Sequence, residues 1–153
     1  MTSRTTRWVI YGSAAVFAFM GALAVLNGLF LVFANKFLLF LPEDARFIGM
    51  TATQISAYDP RLYDWAVIVY RLWGGFMFST GVLTLWVALK PFLARERWAW
   101  YALAISTLPT LILWIVVNLP VQSYFLPALL AILVVYILAL AGSYWVTCFN
   151  CPR

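Results

Sequence analysis

One charged side chain stands inside an otherwise apolar stretch: Arg71, six residues after Trp65 in the run from Trp65 to Leu89. A guanidinium at the bilayer centre costs from about 2.5 to more than 10 kcal/mol, so its depth matters. At about 1.5 Å per residue Arg71 lies about 9 Å from the Trp65 edge, and helical side chains lean toward the N-terminal end, which here is that edge. Two readings follow. Arg71 snorkels to the headgroups, alone or in a salt bridge to Asp64 or another carboxylate of the preceding loop. Alternatively it holds an anionic or carbonyl-bearing ligand, such as a lipid headgroup or quinone, between helices. Asn27, Asn118 and Gln122 fall at the same level and would complete a shared polar pocket.

A second motif with possible chemistry is Cys148-Phe-Asn-Cys151, followed by Pro152. This spacing serves redox dithiols and supplies half of a zinc or iron–sulfur site. The chain has two cysteines and no histidine to complete four ligands, so a metal site would need a second chain and none is expected on the monomer. Trp73 and Trp114, with Tyr70, Tyr101 and Tyr136, could stack on a flat lipophilic cofactor, although aromatics at helical spacing are ordinarily packing or lipid-facing residues. Without histidine there is no imidazole for haem ligation, proton relay or base catalysis. No phosphate loop, nucleophile elbow, HExxH or pair of intramembrane carboxylates occurs, and no catalytic residue is assigned.

The elements that must position these residues follow from composition. Of 153 residues, 65% are hydrophobic and 10% charged, and the mean hydropathy is +0.94. Soluble domains are about a quarter charged, so these polar groups are too few to coat a soluble globule. Each crossing needs about 20 apolar residues, which leaves room for about four and for no sizeable aqueous catalytic domain. Four stretches qualify: Trp8 to Phe33, Trp65 to Leu89, Trp98 to Asn118 and Tyr124 to Val146. The predicted fold is all-α, a polytopic membrane protein whose four transmembrane helices form one antiparallel bundle over residues 1–153. The first stretch is longer than a signal-peptide core and reads as an uncleaved anchor helix.

The connections are unequal. Residues 119–123 force a hairpin between the last two crossings, and the basic segment Lys90 to Arg97 joins the second to the third. The loop 34–64 is the one place for extramembrane structure. In it Thr51-Ala-Thr-Gln54 fits a capping box, and Asp59-Pro60 looks like an N-cap followed by proline at the first helical position. Phe37 to Leu41 is expected in the interface or against the bundle.

Small residues let helices approach in lipid, where no hydrophobic force drives them together. Ala14, Ala18 and Ala22 recur at four-residue spacing, Gly74, Gly75, Ser79 and Gly81 offer a face on the second crossing, and Ala139 with Ser143 on the fourth. No internal repeat or heptad seam is read from the sequence. Pro109 should bend the third crossing and free a carbonyl for Thr110 or a neighbour.

Basic residues set orientation. With the N-terminus inside, six (Arg4, Arg7, Lys90, Arg95, Arg97, Arg153) lie on the inner side and three (Lys36, Arg46, Arg61) outside, so both termini are expected in the cytoplasm of a bacterial inner membrane. Membrane orientation accounts for the net charge of +5 better than nucleic acid does. There the cysteines should stay reduced. Trp8, Trp86, Trp98, Trp100 and Trp145 would form an inner aromatic belt, with Tyr63, Trp65 and Tyr124 at the outer edge.

The stretch Arg71-Leu-Trp-Gly-Gly-Phe-Met-Phe-Ser-Thr-Gly81-Val-Leu, after a first crossing that ends in Leu26-Asn-Gly-Leu-Phe, resembles the small four-helix bacterial membrane proteins grouped as DoxX-like. The resemblance covers about two-thirds of the chain and implies a link to quinone-dependent redox systems; the long loop and the CxxC tail lie outside that pattern. Three functions fit the sequence. The first is a non-catalytic integral subunit that scaffolds a larger membrane complex, with other integral membrane subunits and the lipid bilayer as partners and no cofactor required. The second is a DoxX-like quinone- or lipid-binding redox accessory protein using Arg71. The third is a small transporter, disfavoured because no acidic residue or histidine lies within a crossing.

Overall fold

A computed structural model describes residues 3–34 and 41–149. They form six α-helices: α1 (Ser3–Phe33), α2 (Pro42–Ile48), α3 (Ala52–Tyr58), α4 (Pro60–Leu89), α5 (Arg97–Val121) and α6 (Leu126–Tyr144). A π-helical turn, Trp145–Phe149, continues α6. The described residues are 88% helical, without strands. Four of the helices are long and apolar enough to cross a membrane, over Arg4–Phe33, Pro60–Leu89, Arg97–Val121 and Leu126–Cys148. The protein is therefore an all-α antiparallel bundle with the properties of an integral membrane protein.

The helix starts follow the local chemistry expected. Asp59 caps α4: its carboxylate accepts from the amides of Arg61 at 2.9 Å and Leu62 at 3.2 Å, and Pro60 occupies the first turn. Thr51 and Gln54 form a reciprocal box, Thr51 N–H donating to Gln54 Oε1 at 2.8 Å and Gln54 N–H to Thr51 Oγ1 at 3.3 Å. Gly49, at φ 77°, ends α2 in the left-handed conformation that glycine adopts without steric cost. The residues Phe37 to Phe40, expected at the interface, lie outside the described residues.

One end of the bundle carries the start of α1, the 90–96 turn and the π-helical turn; it is called the terminal end here. The other carries α2 and α3, a strap between α1 and α4. Helix α1 packs against α4 and α6, α5 packs against α6, and α4 touches α5 more lightly. The buried core sits toward the terminal end, built from Ile10, Phe17, Val87, Phe92, Leu103, Tyr136, Leu140 and Val146. Phe17 is its hub, meeting Phe92 edge-on at 5.0 Å and Tyr136 at 5.1 Å.

The α1–α4 contact corrects the sequence reading, because a seven-residue seam is present. Gly21 and Gly28 on α1 oppose Gly81 and Gly74 on α4. A Cβ on Gly28 would stand 2.5 Å from the Phe78 amide nitrogen and 2.7 Å from the Gly74 carbonyl oxygen; one on Gly81 would stand 2.7 Å from the Val25 nitrogen and 2.8 Å from the Gly21 oxygen. These backbones touch directly, and only glycine permits it. One heptad further toward the terminal end, buried Ala14 and Ala88 fall in the same register. Of the four-residue alanine series, Ala14 alone is fully buried, while Ala18 and Ala22 are half-buried. Gly75 does not join the seam, since a Cβ there would meet nothing within 4 Å.

The other helices are tied through side chains. The buried Tyr136 hydroxyl donates to Leu103 O at 2.9 Å, Trp100 Nε1 to Leu140 O at 3.0 Å, and Ser13 Oγ to Ala139 O at 3.0 Å. Ser143 Oγ also donates to Ala139 O, at 2.7 Å. Trp100 thus turns inward, against Tyr144, whereas Trp8, Trp86, Trp98, Trp145, Trp65 and Tyr124 are exposed. Helix α5 runs unbroken through Pro109. Thr110 Oγ1 donates to Ser106 O at 2.9 Å, one residue away from the Ile105 carbonyl that Pro109 leaves without its amide donor.

Candidate functional site

The polar residues singled out in the spans gather toward the strap end, yet they do not form one pocket. Arg71 is exposed on α4, and neither Asp64 nor any other described residue gives it a hydrogen bond or ion pair. Asn27, next to Gly28 and so about 100° round α1 from the α4 contact, donates its amide to Leu23 O at 3.0 Å. Asn118 does the same within α5, to Trp114 O at 2.8 Å. An amide that bonds the carbonyl four residues back lowers its own cost in lipid and has less to offer a ligand. Gln122 contributes its backbone: at φ 52° and ψ 48° it closes α5 in the left-handed region, leaving its carbonyl free to accept from Arg46.

That contact belongs to a polar clasp the sequence did not disclose. Glu43 is 4% exposed and accepts from the Ser123 hydroxyl at 3.0 Å. One helical turn on, Arg46 Nη2 donates to Val121 O at 3.1 Å and Gln122 O at 3.0 Å, and its guanidinium carbon lies 5.6 Å from the centre of the Tyr124 ring. Arginine suits this position because its fork of donors can hold two carbonyls while its face covers an aromatic ring. The two side chains of α2 thereby fasten the strap to the α5–α6 turn. Helix α3 packs on α4 through buried Ile55, so the strap joins α4 to the far hairpin.

The aromatic residues do not converge either. Trp73 is exposed and meets Tyr70 edge-on at 5.9 Å, Trp114 is half-buried on α5, and Tyr136 is a core residue. An apolar groove of about 420 Å³ runs between α1 and α6, lined by Ala15, Val16, Phe19, Met20, Ala131, Ile132 and Val135. A smaller one of about 270 Å³ lies between the strap and α4. At the terminal end Cys148 is partly buried beside the Tyr101 hydroxyl, with Arg97 nearby; Cys151 lies outside the described residues. Among the described residues no group of three or more His, Cys, Asp or Glu could hold a metal ion. No protein-family model, curated protein or solved structure matches this chain.

Proposed function

We propose that the protein is a non-catalytic integral subunit that scaffolds a larger membrane complex. The observation that carries this reading is how the polar side chains in the spans are used. Ser13, Asn27, Trp100, Thr110, Asn118, Tyr136 and Ser143 each bond a backbone carbonyl of the bundle itself. The bonds of Ser13, Trp100 and Tyr136 tie one helix to another, and those of Asn27, Thr110, Asn118 and Ser143 stay within their own helix. The interior they surround is mostly apolar, built around Phe17, Phe92, Leu103 and Val146. Such an interior stabilises a shape, and what it presents to its surroundings is helix surface. Purification in mild detergent tests this: integral subunits should accompany the chain in fixed ratio, and a chain that elutes alone from native membranes would defeat the proposal.

The basic asymmetry, six residues against three, further argues that the terminal end faces the bacterial cytoplasm. Reporter fusions at position 50 and at the C-terminus should then report opposite sides. A second reading, the quinone- or lipid-binding accessory protein implied by the DoxX-like resemblance, draws on Arg71 having no hydrogen-bond or ion-pair partner among the described residues. A quinone retained by the isolated chain and lost in Arg71→Leu would favour it.

A further inference from the structure

The two ends of the bundle differ in charge. Among the described residues the terminal end carries five basic side chains, Arg4, Arg7, Lys90, Arg95 and Arg97, and one acidic one, Glu96. The strap end carries Glu43, Asp44, Asp59 and Asp64 against Arg46 and Arg61, and Arg46 is committed to the clasp. Arg4, Arg7, Lys90 and Arg97 are exposed, and none of them has a hydrogen-bond or ion-pair partner among the described residues. Glu96, the one carboxylate near them, instead accepts from the Trp98 indole. Depth decides what these cations meet. Each of the four spanning segments carries one exposed tryptophan at this end: Trp8, Trp86, Trp98 and Trp145. Indoles at the ends of membrane helices settle at the headgroup level. Arg7 and Arg97 are the sequence neighbours of two of them. Arg4 precedes Trp8 by four residues, and Lys90 follows Trp86 by four, its amide still donating to the Trp86 carbonyl at 3.0 Å. Both cations therefore stand one helical turn, about 6 Å, outside an indole, in the layer where lipid phosphates lie.

We propose that the terminal end binds anionic phospholipid, its indoles and unpaired cations gathering phosphodiester headgroups around the bundle. The placement of the cations chooses lipid over a soluble anion. Lys90 comes two residues after Ala88 of the seam and so stands about 200° round α4 from its contact with α1, whereas Arg4 and Arg7 are on α1 itself. A compact ligand such as free phosphate cannot meet both groups, but headgroups surround the bundle on every side. Membrane orientation alone asks only for a basic excess on one side. It does not ask that each exposed cation stand within one turn of an exposed indole, or that the nearby carboxylate be turned to Trp98. The turn that carries two of the cations is also ordered in advance. Phe92 is fully buried against Phe17, and the Arg95 amide donates to the Phe92 carbonyl at 2.9 Å. The backbone at Lys90 and Arg97 is thus fixed before a lipid arrives, and binding costs little backbone order. Each guanidinium can then hold a phosphate through two parallel N–H groups.

The test uses the purified full chain in phosphatidylcholine vesicles that contain a trace of spin-labelled lipid. Spin-labelled phosphatidylglycerol should be held at the protein surface about fivefold over spin-labelled phosphatidylcholine. Arg4→Gln, Arg7→Gln, Lys90→Gln and Arg97→Gln together should erase that preference, and changing the three arginines to lysine should keep most of it. Lys90→Gln with Arg97→Gln alone, which leaves α1 untouched, should lower it about twofold and decides the matter if the fourfold variant does not fold. Arg71→Leu should leave it unchanged. Equal retention of the two lipids by the wild-type chain, a preference that survives the glutamine variants, or one lost in Arg71→Leu would each overturn the proposal. Inorganic phosphate, exchanged for chloride at constant ionic strength, should not compete with the labelled lipid, since competition would assign these cations to a soluble anion. A polyglutamate peptide that releases the labelled lipid would assign the face to an acidic protein. Either result would overturn the proposal as well.

Discussion

Helices α1 and α4 are joined by what they lack, and α5 and α6 by what they carry. Along the first pair, Gly21, Gly28, Gly74 and Gly81 bring main chain against main chain, with contacts so close that a single methyl group would collide with backbone atoms. Along the second, the Tyr136 hydroxyl and the Trp100 indole reach across to carbonyls of the neighbouring helix. Both solve one problem, since lipid tails are as apolar as leucine and burial alone does not bring helices together. The glycine solution gains dispersion over a long contact and tolerates no added volume. The polar solution concentrates its energy in a few bonds and tolerates changes elsewhere.

The largest expected effect is on the glycine seam. Gly28→Ala places a Cβ against the Phe78 and Gly74 backbone, neither of which can swing aside, so a loss of about 3 kcal/mol or more is expected. Unfolding of the detergent-solubilised chain by added dodecyl sulfate measures it, and a stable alanine variant would show that the helices can separate without loss. Next is the clasp between the strap and the hairpin. Ser123→Ala leaves the buried Glu43 carboxylate without its hydroxyl donor, at a cost of about 2 kcal/mol. Faster protease cleavage of the 41–59 segment is the expected sign.

Tyr136→Phe keeps the ring against Phe17 and removes one hydrogen bond, so it should cost about 1 kcal/mol. That loss should be smaller than the seam's, and a larger one would reverse the comparison between the two pairs. The smallest effect is expected at Gly75→Ala, which meets open space and should be neutral or stabilise the isolated chain by up to about 1 kcal/mol. Measured beside Gly28→Ala, it separates the glycines that pack α1 from the one that does not.

The four spans, and the starts of α3 and α4, were legible in the sequence because they depend on local chemistry. Unbroken apolar length marks a crossing, and Asp59-Pro60 and Thr51 with Gln54 satisfy amides two or three residues away. The seam was less legible because the alanines at positions 14, 18 and 22 draw attention to a four-residue period, while the contact follows the seven-residue period of Ala14, Gly21 and Gly28. The matching interval between Gly74 and Gly81 was the available signal. The clasp left almost none, since Glu43 and Ser123 are 80 residues apart and both acceptors for Arg46 are backbone carbonyls. Asn27 and Asn118 show the opposite failure: their level along the spans was readable, but whether an amide turns to a ligand or to its own helix depends on geometry that spacing does not encode.

The seven-residue seam also has a mechanical consequence. With main chains in contact at Gly21, Gly28, Gly74 and Gly81, α1 and α4 cannot part or slide without giving up those contacts. Their apolar parts, Trp8 to Phe33 and Trp65 to Leu89, reach about 39 and 38 Å, beyond the roughly 30 Å of bilayer hydrocarbon. Such excess length is accommodated by tilt, by a kink or by local thickening of the bilayer, and main-chain contact favours tilt of the two helices together. Because the strap packs on α4 and is clasped to the α5–α6 turn, Glu43 and Arg46 are the groups through which a tilt of α4 would reach the far hairpin.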